Sequence, residues 1–328
     1  MIEVYDTLPQ IAQYILVLFG VVFCKLLFNI ISPSLTQQSA FSFYRFYCQQ
    51  LAEKVNKDKN SDSQRNIAGF IATVITITPL IVIVWLFEEF IAVPVIWQAL
   101  LLFTTLGSFN LNNLGKTVAT QLNAQDKYQA KQTLSPWLSR DAEQLSPIGI
   151  SKACIEMLLL RKIQQQFAIG FFFIFIGPLA ALSFRLLLET HYSWNLKHHQ
   201  FRFFGRFIAK ITNLLQWLPS RLFFLLLILT SMNQNSLLFW RLVKRSFFTN
   251  NNSIVIAYLA YILGIKLGGV AMYSKNKLRR ESFNDQGQQP QAKDIIATIK
   301  QLNLVMTLAI GILISIVIVI AILVKQST

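Results

Sequence analysis

Residues 302–324 read LNLVMTLAIGILISIVIVIAILV, an apolar stretch with no charged side chain. An α-helix rises 1.5 Å per residue, so a run of this length crosses the roughly 30 Å hydrocarbon core of a bilayer. Lipid offers no partner to backbone N–H and C=O groups, and a helix pairs them within the segment. The stretch therefore reads as a membrane-spanning helix. Comparable runs lie at Ile11 to Ile31, Ile67 to Phe87, Ile91 to Leu106, Phe167 to Leu188, and Arg221 to Met232 with its upstream flank. The chain is 54% hydrophobic and 14% charged, with 27 Phe, a balance that excludes an ordinary soluble domain. The predicted fold class is all-α: a polytopic integral membrane protein, one membrane domain over residues 1–328, with five or six spanning helices and helical cytoplasmic segments. Glu3 and Asp6 precede the first run and no small-residue cleavage site follows it, so it is expected to be retained.

Lys and Arg number 30 against 15 acids, and the excess lies in the connections. Under the positive-inside rule, Arg45, Lys54, Lys57, Lys59 and Arg65 place residues 32–66 in the cytoplasm, while Glu88 and Glu89 mark an outside turn. Segments 108–166 and 271–301, also cation-rich, follow as cytoplasmic. The stretch from His191 to Lys210 carries Lys197, Arg202, Arg206 and Lys210 where alternation expects the outer side. Either a flanking run stops short of crossing, as Pro178 and Pro219 allow, or the rule fails there.

Cys24, Cys48 and Cys154 are scattered and suit packing rather than a disulfide or metal site. His198 and His199, adjacent on the chain and near His191, lack a carboxylate cluster and read as a basic interfacial patch. Nucleotide-binding signatures are absent, no nucleic-acid partner is expected, and no metal-ligand cluster is predicted.

Residues 111–134, LNNLGKTVATQLNAQDKYQAKQTL, carry leucines and alanines at helical spacing and predict an amphipathic helix pair. Pro136 ends it, and Arg140-Asp141 are expected at the start of the next helix. Glu156, an acid among apolar neighbours, needs a partner to offset its desolvation, and Lys152 stands one turn earlier. Residues 264–295, GIKLGGVAMYSKNKLRRESFNDQGQQPQAKDI, are glycine-punctuated and cation-rich between apolar runs, and read as a segment suited to meeting an anion. A polybasic loop drawn to anionic lipid accounts for its cations equally well, but not for its paired glycines.

These segments in order, TLSPWLSRDAEQLSPIGISKACIE, GPLAALSFR, FRFFGRFIAKITNLLQWLPSRL and the stretch from Tyr261 to Asn303, resemble the CobD/CbiB cobalamin biosynthesis family of membrane-bound adenosylcobinamide-phosphate synthases. The recurring elements are Arg140-Asp141, Glu156, Phe204-Gly205, Pro219 with Arg221, Leu267-Gly268-Gly269, Tyr273, and Pro290 followed by Asp294. The resemblance implies an ATP-dependent ligase that joins the carboxylate of adenosylcobyric acid to aminopropanol or its phosphate as an amide. It implies ATP and Mg2+ as cofactors, a corrinoid substrate, other cobalamin-pathway membrane proteins and the lipid bilayer as partners, and the cell inner membrane as location. Glu156, Asp141 and Arg140 become the candidate catalytic residues. Lys266, Gly268, Gly269, Tyr273, Arg221 and Asp294 become candidates for binding substrate or nucleotide, with the glycine backbone N–H groups approaching a phosphate and Asp294 helping to hold its metal.

The pattern is incomplete. Where the family continues with Glu, Asn and Asp after Glu156, this chain has Leu160, Arg161 and Gln164. Later polar positions fall on Leu188, His191, Thr212 and Asn213, the proline after the glycine pair is Val270, and the acidic N-terminal motif is replaced by CKLLFNIISPS. The segment HHQFRFFGRFIAKITNLLQWLPSRL is also similar to the AmpE membrane modulators, which keep the architecture and lose much of the motif set. Two functions thus stand at this point: the ligase, and a non-catalytic inner-membrane sensor or modulator. A transporter is disfavoured, because no acid lies in the middle of a spanning run.

Overall fold

The computed structural model describes residues 8–31, 41–231, 251–273 and 276–327. Glu3, Asp6 and Met232, singled out above, lie outside the described residues, as do Lys275 and the side chain of Lys277 in the glycine-punctuated, cation-rich stretch. The chain begins with α1 (Gln10–Ile31), α2 (Ser42–Val55), α3 (Asp62–Glu88) and the short α4 (Pro94–Thr105). Ser61 starts α3 through a capping box: its hydroxyl accepts the Gln64 N–H, and Gln64 returns the bond to the Ser61 backbone. The amphipathic pair follows as α5 (Leu111–Asn123) and α6 (Lys127–Leu134), the latter capped by Asp126. Leu111, Leu114, Val118 and Ala119 form the buried stripe that the spacing predicts.

Among the described residues, four helices are long and apolar enough to cross a bilayer: α1, α3, α10 (Arg206–Thr230) and α12 (Ala292–Ser327). The runs at 91–106 and 167–188 behave differently from the five or six crossings expected. Helix α4 has 12 residues, about 18 Å of helix, and falls short of the hydrocarbon thickness by itself. The 167–188 run breaks at Gly177, whose φ of 120° is closed to other residues, and Pro178, which starts a new helix. It becomes α8 (Ala168–Phe175) and α9 (Pro178–Ser193), packed against each other. The break allowed by Pro178 is thus realised, whereas Pro219 is accommodated inside α10.

Arg140 and Asp141 sit in the loop ahead of α7 (Pro147–Lys162), not at its start. Ser146-Pro147 gives the stronger start signal: the Ser146 hydroxyl accepts the Gly149 N–H, and proline fills the first helical position. A π-helical turn (Ile163–Phe167) carries α7 directly into α8.

The second departure concerns the connecting segments, expected to be helical, which are not all so. After α11 (Asn251–Ile262), Leu267–Tyr273 (β1) and Asn276–Phe283 (β2) pair as an antiparallel hairpin. The register shifts between Gly268 and Val270, a bulge made by two glycines at φ 71° and 85°. The backbone N–H of Asp141 bonds Met272 O at 3.0 Å, so the loop before α7 lies along the edge of β1. Ile265 and Leu267 anchor the hairpin base in the main core, which also buries faces of α5, α7, α11 and the first turns of α12. Along α12, Ile295, Ile299, Leu302 and Val305 are buried at helical spacing, and the apolar residues beyond them are largely exposed, as a lipid-facing helix requires.

Candidate functional site

The glycine-rich stretch meets an anion, and the anion is Glu156. This carboxylate is 5% exposed and lies under the hairpin. The Gly268 N–H donates to its Oε1 at 3.0 Å, and Arg280 Nη1 from β2 donates to its Oε2 at 3.0 Å. Arg140 Nη2, from the loop before α7, lies 3.5 Å from Oε2. Burial by itself raises the Glu156 pKa, but Arg140, Arg280 and the Gly268 amide outweigh it and hold the carboxyl below the usual range. The expected pairing with Lys152 gives way to two guanidinium groups, which offer flat multi-donor contacts that an ammonium lacks.

Gly268 is required where it stands. A Cβ there would meet Glu281 O at 2.2 Å, in a left-handed backbone conformation. Gly269 contributes its carbonyl, which accepts Arg280 Nε at 3.2 Å and holds that guanidinium over the carboxylate. Sequence and structure thus connect directly: the glycine pair bends the hairpin so that one amide and one arginine both reach a buried acid.

Beside this clasp lies a small cavity of about 110 Å3, lined by Arg140, Glu156, Tyr273 and Arg280 together with Arg161, Gln164, Tyr192 and Lys197. The ring of Tyr273 lies 5.4 Å from Lys197 Nζ and meets His198 edge-on at 5.9 Å. The Arg161 guanidinium stacks over Trp137 at 5.2 Å and Tyr192 at 5.4 Å. Tyr192 Oη donates to Gln164 Oε1 at 2.6 Å. Four cations face one carboxylate that is already neutralised, so the cavity is electropositive and suits a small anionic group such as phosphate or carboxylate. A carboxylate held by two arginines and an amide is a poor proton acceptor in this geometry.

Of the residues the sequence nominated, Arg140, Glu156, Gly268 and Tyr273 converge here, with Gly269 one bond behind. Asp141 joins through its backbone. Lys266 instead pairs with Asp285 at 2.7 Å on the hairpin base. Asp294 accepts the Gln291 N–H at 2.7 Å and caps α12. Arg221 is buried in α10, with its guanidinium 5.5 Å from the Trp217 ring. Neither Asp294 nor Arg221 lines this cavity.

Residues that the sequence left unassigned include Arg280, seen only as one cation of a basic run, and Lys197, seen only as a breach of the positive-inside rule. The signal for Arg280 was Glu156 itself, a buried acid that demands a charged donor. Leu160, Arg161 and Gln164, the places where the family pattern has Glu, Asn and Asp, all line the cavity.

The family model described as CobD/Cbib protein matches residues 43–302. The cobalamin biosynthesis protein CobD of Stutzerimonas stutzeri (strain A1501) is 28% identical over 248 residues, 75% of this chain and 82% of that protein. Its counterpart in Chromobacterium violaceum is 26% identical over 237 residues, 72% and 76% of the two chains. The cobalamin biosynthesis protein CbiB of Salmonella typhimurium (strain LT2) is 27% identical over 221 residues, 66% and 69%. These relatives lend no support to the modulator reading. No solved structure matches the chain. With the match covering most of the sequence, this membrane protein belongs to the CobD/Cbib family.

Proposed function

We propose that the protein acts in cobalamin biosynthesis at the step that joins the carboxylate of adenosylcobyric acid to aminopropanol or its phosphate as an amide. The observation that carries this reading is the hairpin pocket: Arg140, Arg280, Arg161 and Lys197 gather around Tyr273 in a cavity sized for one anionic group, on residues the family match spans. We place the pocket at the cytoplasmic face of the cell inner membrane, with segments 32–66, 108–166 and 271–301 on that side.

The chemistry divides among named groups. The guanidinium groups of Arg140 and Arg161 and the Lys197 ammonium bind and orient the anionic group, and lower the cost of bringing negative charge into a half-buried site. Glu156 fixes Arg280 and the hairpin. Tyr273, with Lys197 against its ring, shapes the mouth. ATP supplies the activation of the carboxylate when it is bound, and the pocket's donors fit its phosphate oxygens. They do not fit Mg2+, because the cavity's carboxylate is already bonded by two arginines and an amide, and metal sites of this kind use free carboxylates beside phosphate.

That mismatch favours a second reading: a family member that binds the anionic substrate without turning it over. Growth of a synthase-deficient bacterium on cobyric acid separates the two. The ligase restores cobalamin-dependent growth, and Arg140→Gln weakens the rescue. No growth with confirmed membrane expression leaves only the binding role.

A further inference from the structure

A second polar cavity lies outside the hairpin pocket. It is a chamber of about 780 Å3, within the usual range of small-molecule sites. Four cations line it: Lys25 of α1, Arg45 of α2, Arg161 of α7 and Arg185 of α9. The carboxylate among the lining residues is Glu189, which Arg185 Nη2 approaches to 2.6 Å and Arg45 Nε to 3.6 Å. Positive charge is therefore in excess.

Three of the chamber's buried donor atoms also lack protein acceptors. Arg185 is 6% exposed, and its Nε and Nη1 have no hydrogen-bond partner. Gln165, 2% exposed, presents Nε2 in the same condition. Lys25 Nζ donates to Leu106 O and lies 5.1 Å from the Phe103 ring centroid. A buried guanidinium with unused donors, in a chamber with an excess of cations, is unfavourable until an anion joins it. The other walls combine an apolar group, Phe28, Phe41, Phe103 and Phe109, with polar side chains such as Asn110, Asn113 and Thr117. Arg161 and Trp137 line both this chamber and the hairpin pocket, so one guanidinium stands between the two spaces.

We propose that this chamber is a second anion-binding site, taking a phosphate-bearing ligand with an apolar or aromatic body. Guanidinium and ammonium donors recognise the phosphate oxygens, and the phenylalanine wall packs the body. The phosphate comes either from a phospholipid headgroup or from a soluble polyphosphate, and the site chemistry is the same for both. The inference does not depend on the cobalamin-pathway reading, because it concerns binding alone.

The test uses the full chain in neutral detergent. One arm titrates inorganic triphosphate by calorimetry. The other exposes the protein to phosphatidylglycerol or phosphatidylcholine and counts retained lipid by native mass spectrometry. Both arms compare wild type with Lys25→Gln, Arg45→Gln and Arg280→Gln, each checked for retained helical circular dichroism. Saturable binding of either probe, weakened about tenfold or more by Lys25→Gln and Arg45→Gln as expected for a lost charge-assisted bond, and little changed by Arg280→Gln, supports the site. Triphosphate as the bound probe identifies a soluble source, and selective retention of phosphatidylglycerol identifies a lipid. Binding of neither probe, which leaves a water-filled chamber, overturns the proposal. So does binding insensitive to Lys25→Gln and Arg45→Gln, or lost in Arg280→Gln. A protein that fails to rescue cobalamin-dependent growth yet binds in this pattern refutes the ligase reading and leaves the chamber standing.

Discussion

Replacing Glu156 by Gln removes one charge and almost no volume. The amide oxygen still accepts the Gly268 N–H, but Arg140 and Arg280, with side chains 8% and 19% exposed, lose their common counter-charge. Removing one partner of a buried ion pair costs about 3–5 kcal/mol, and partial solvent access of Arg280 points to the lower end, about 3 kcal/mol. The loss falls on the hairpin, because the clasp joins β1 and β2 to α7. Hydrogen exchange reads this locally: about 3 kcal/mol corresponds to roughly a hundredfold faster opening of the β1 and β2 ladder amides. Amides in the middle of α1 should keep their rates, since the clasp does not touch that helix. If ladder protection is unchanged in Glu156→Gln while function is abolished, Glu156 is a chemical group and the positioning role is wrong. Loss of both, with partial recovery in Glu156→Asp, fits a carboxylate that holds the hairpin.

Acidification should act on the same contact. The Glu156 pKa is depressed in the folded chain, so its contribution is complete above the unfolded value of about 4.3 and is lost as pH falls through the lower folded value. Hairpin protection should therefore hold down to about pH 4 and then decline in wild type, with no such step in Glu156→Gln. Gly268→Ala should destabilise by about 2 kcal/mol or more, because it adds left-handed strain and a Cβ 2.2 Å from Glu281 O. Gly269→Ala, with open space at its Cβ, should cost only about 1 kcal/mol of backbone strain; thermal unfolding in detergent ranks the two, and equal losses would refute the close-approach argument. Arg161→Gln should weaken phosphate binding in the hairpin pocket by about tenfold, measured by calorimetry, as one charge-assisted bond is lost.

The spanning helices were legible because lipid imposes one simple rule: length and apolarity decide. The rule says less about Ile91 to Leu106, where proline at 94 shortens the helix, and about the Gly177-Pro178 break, where two residues override an apolar run. The hairpin was hidden for another reason. Its side-chain pattern is weak, and what selects it is a non-local demand, since the buried Glu156 takes an amide and a guanidinium from a bulged strand pair that begins over 100 residues later in the chain. Motif order in the sequence located Arg140, Glu156, Gly268 and Tyr273, but not the direction of the interaction: the glycines serve an internal carboxylate. Lys197 joined the pocket from a stretch whose charge looked misplaced, and its role became visible once Tyr273 lay beneath it.

The most direct test of the central claim is cobalamin-dependent growth of a bacterium that lacks its own adenosylcobinamide-phosphate synthase, carries this chain and is fed cobyric acid. The account predicts growth with the wild-type chain and much weaker growth with Arg140→Gln at equal membrane abundance. No growth with abundant, membrane-inserted wild-type protein would contradict it.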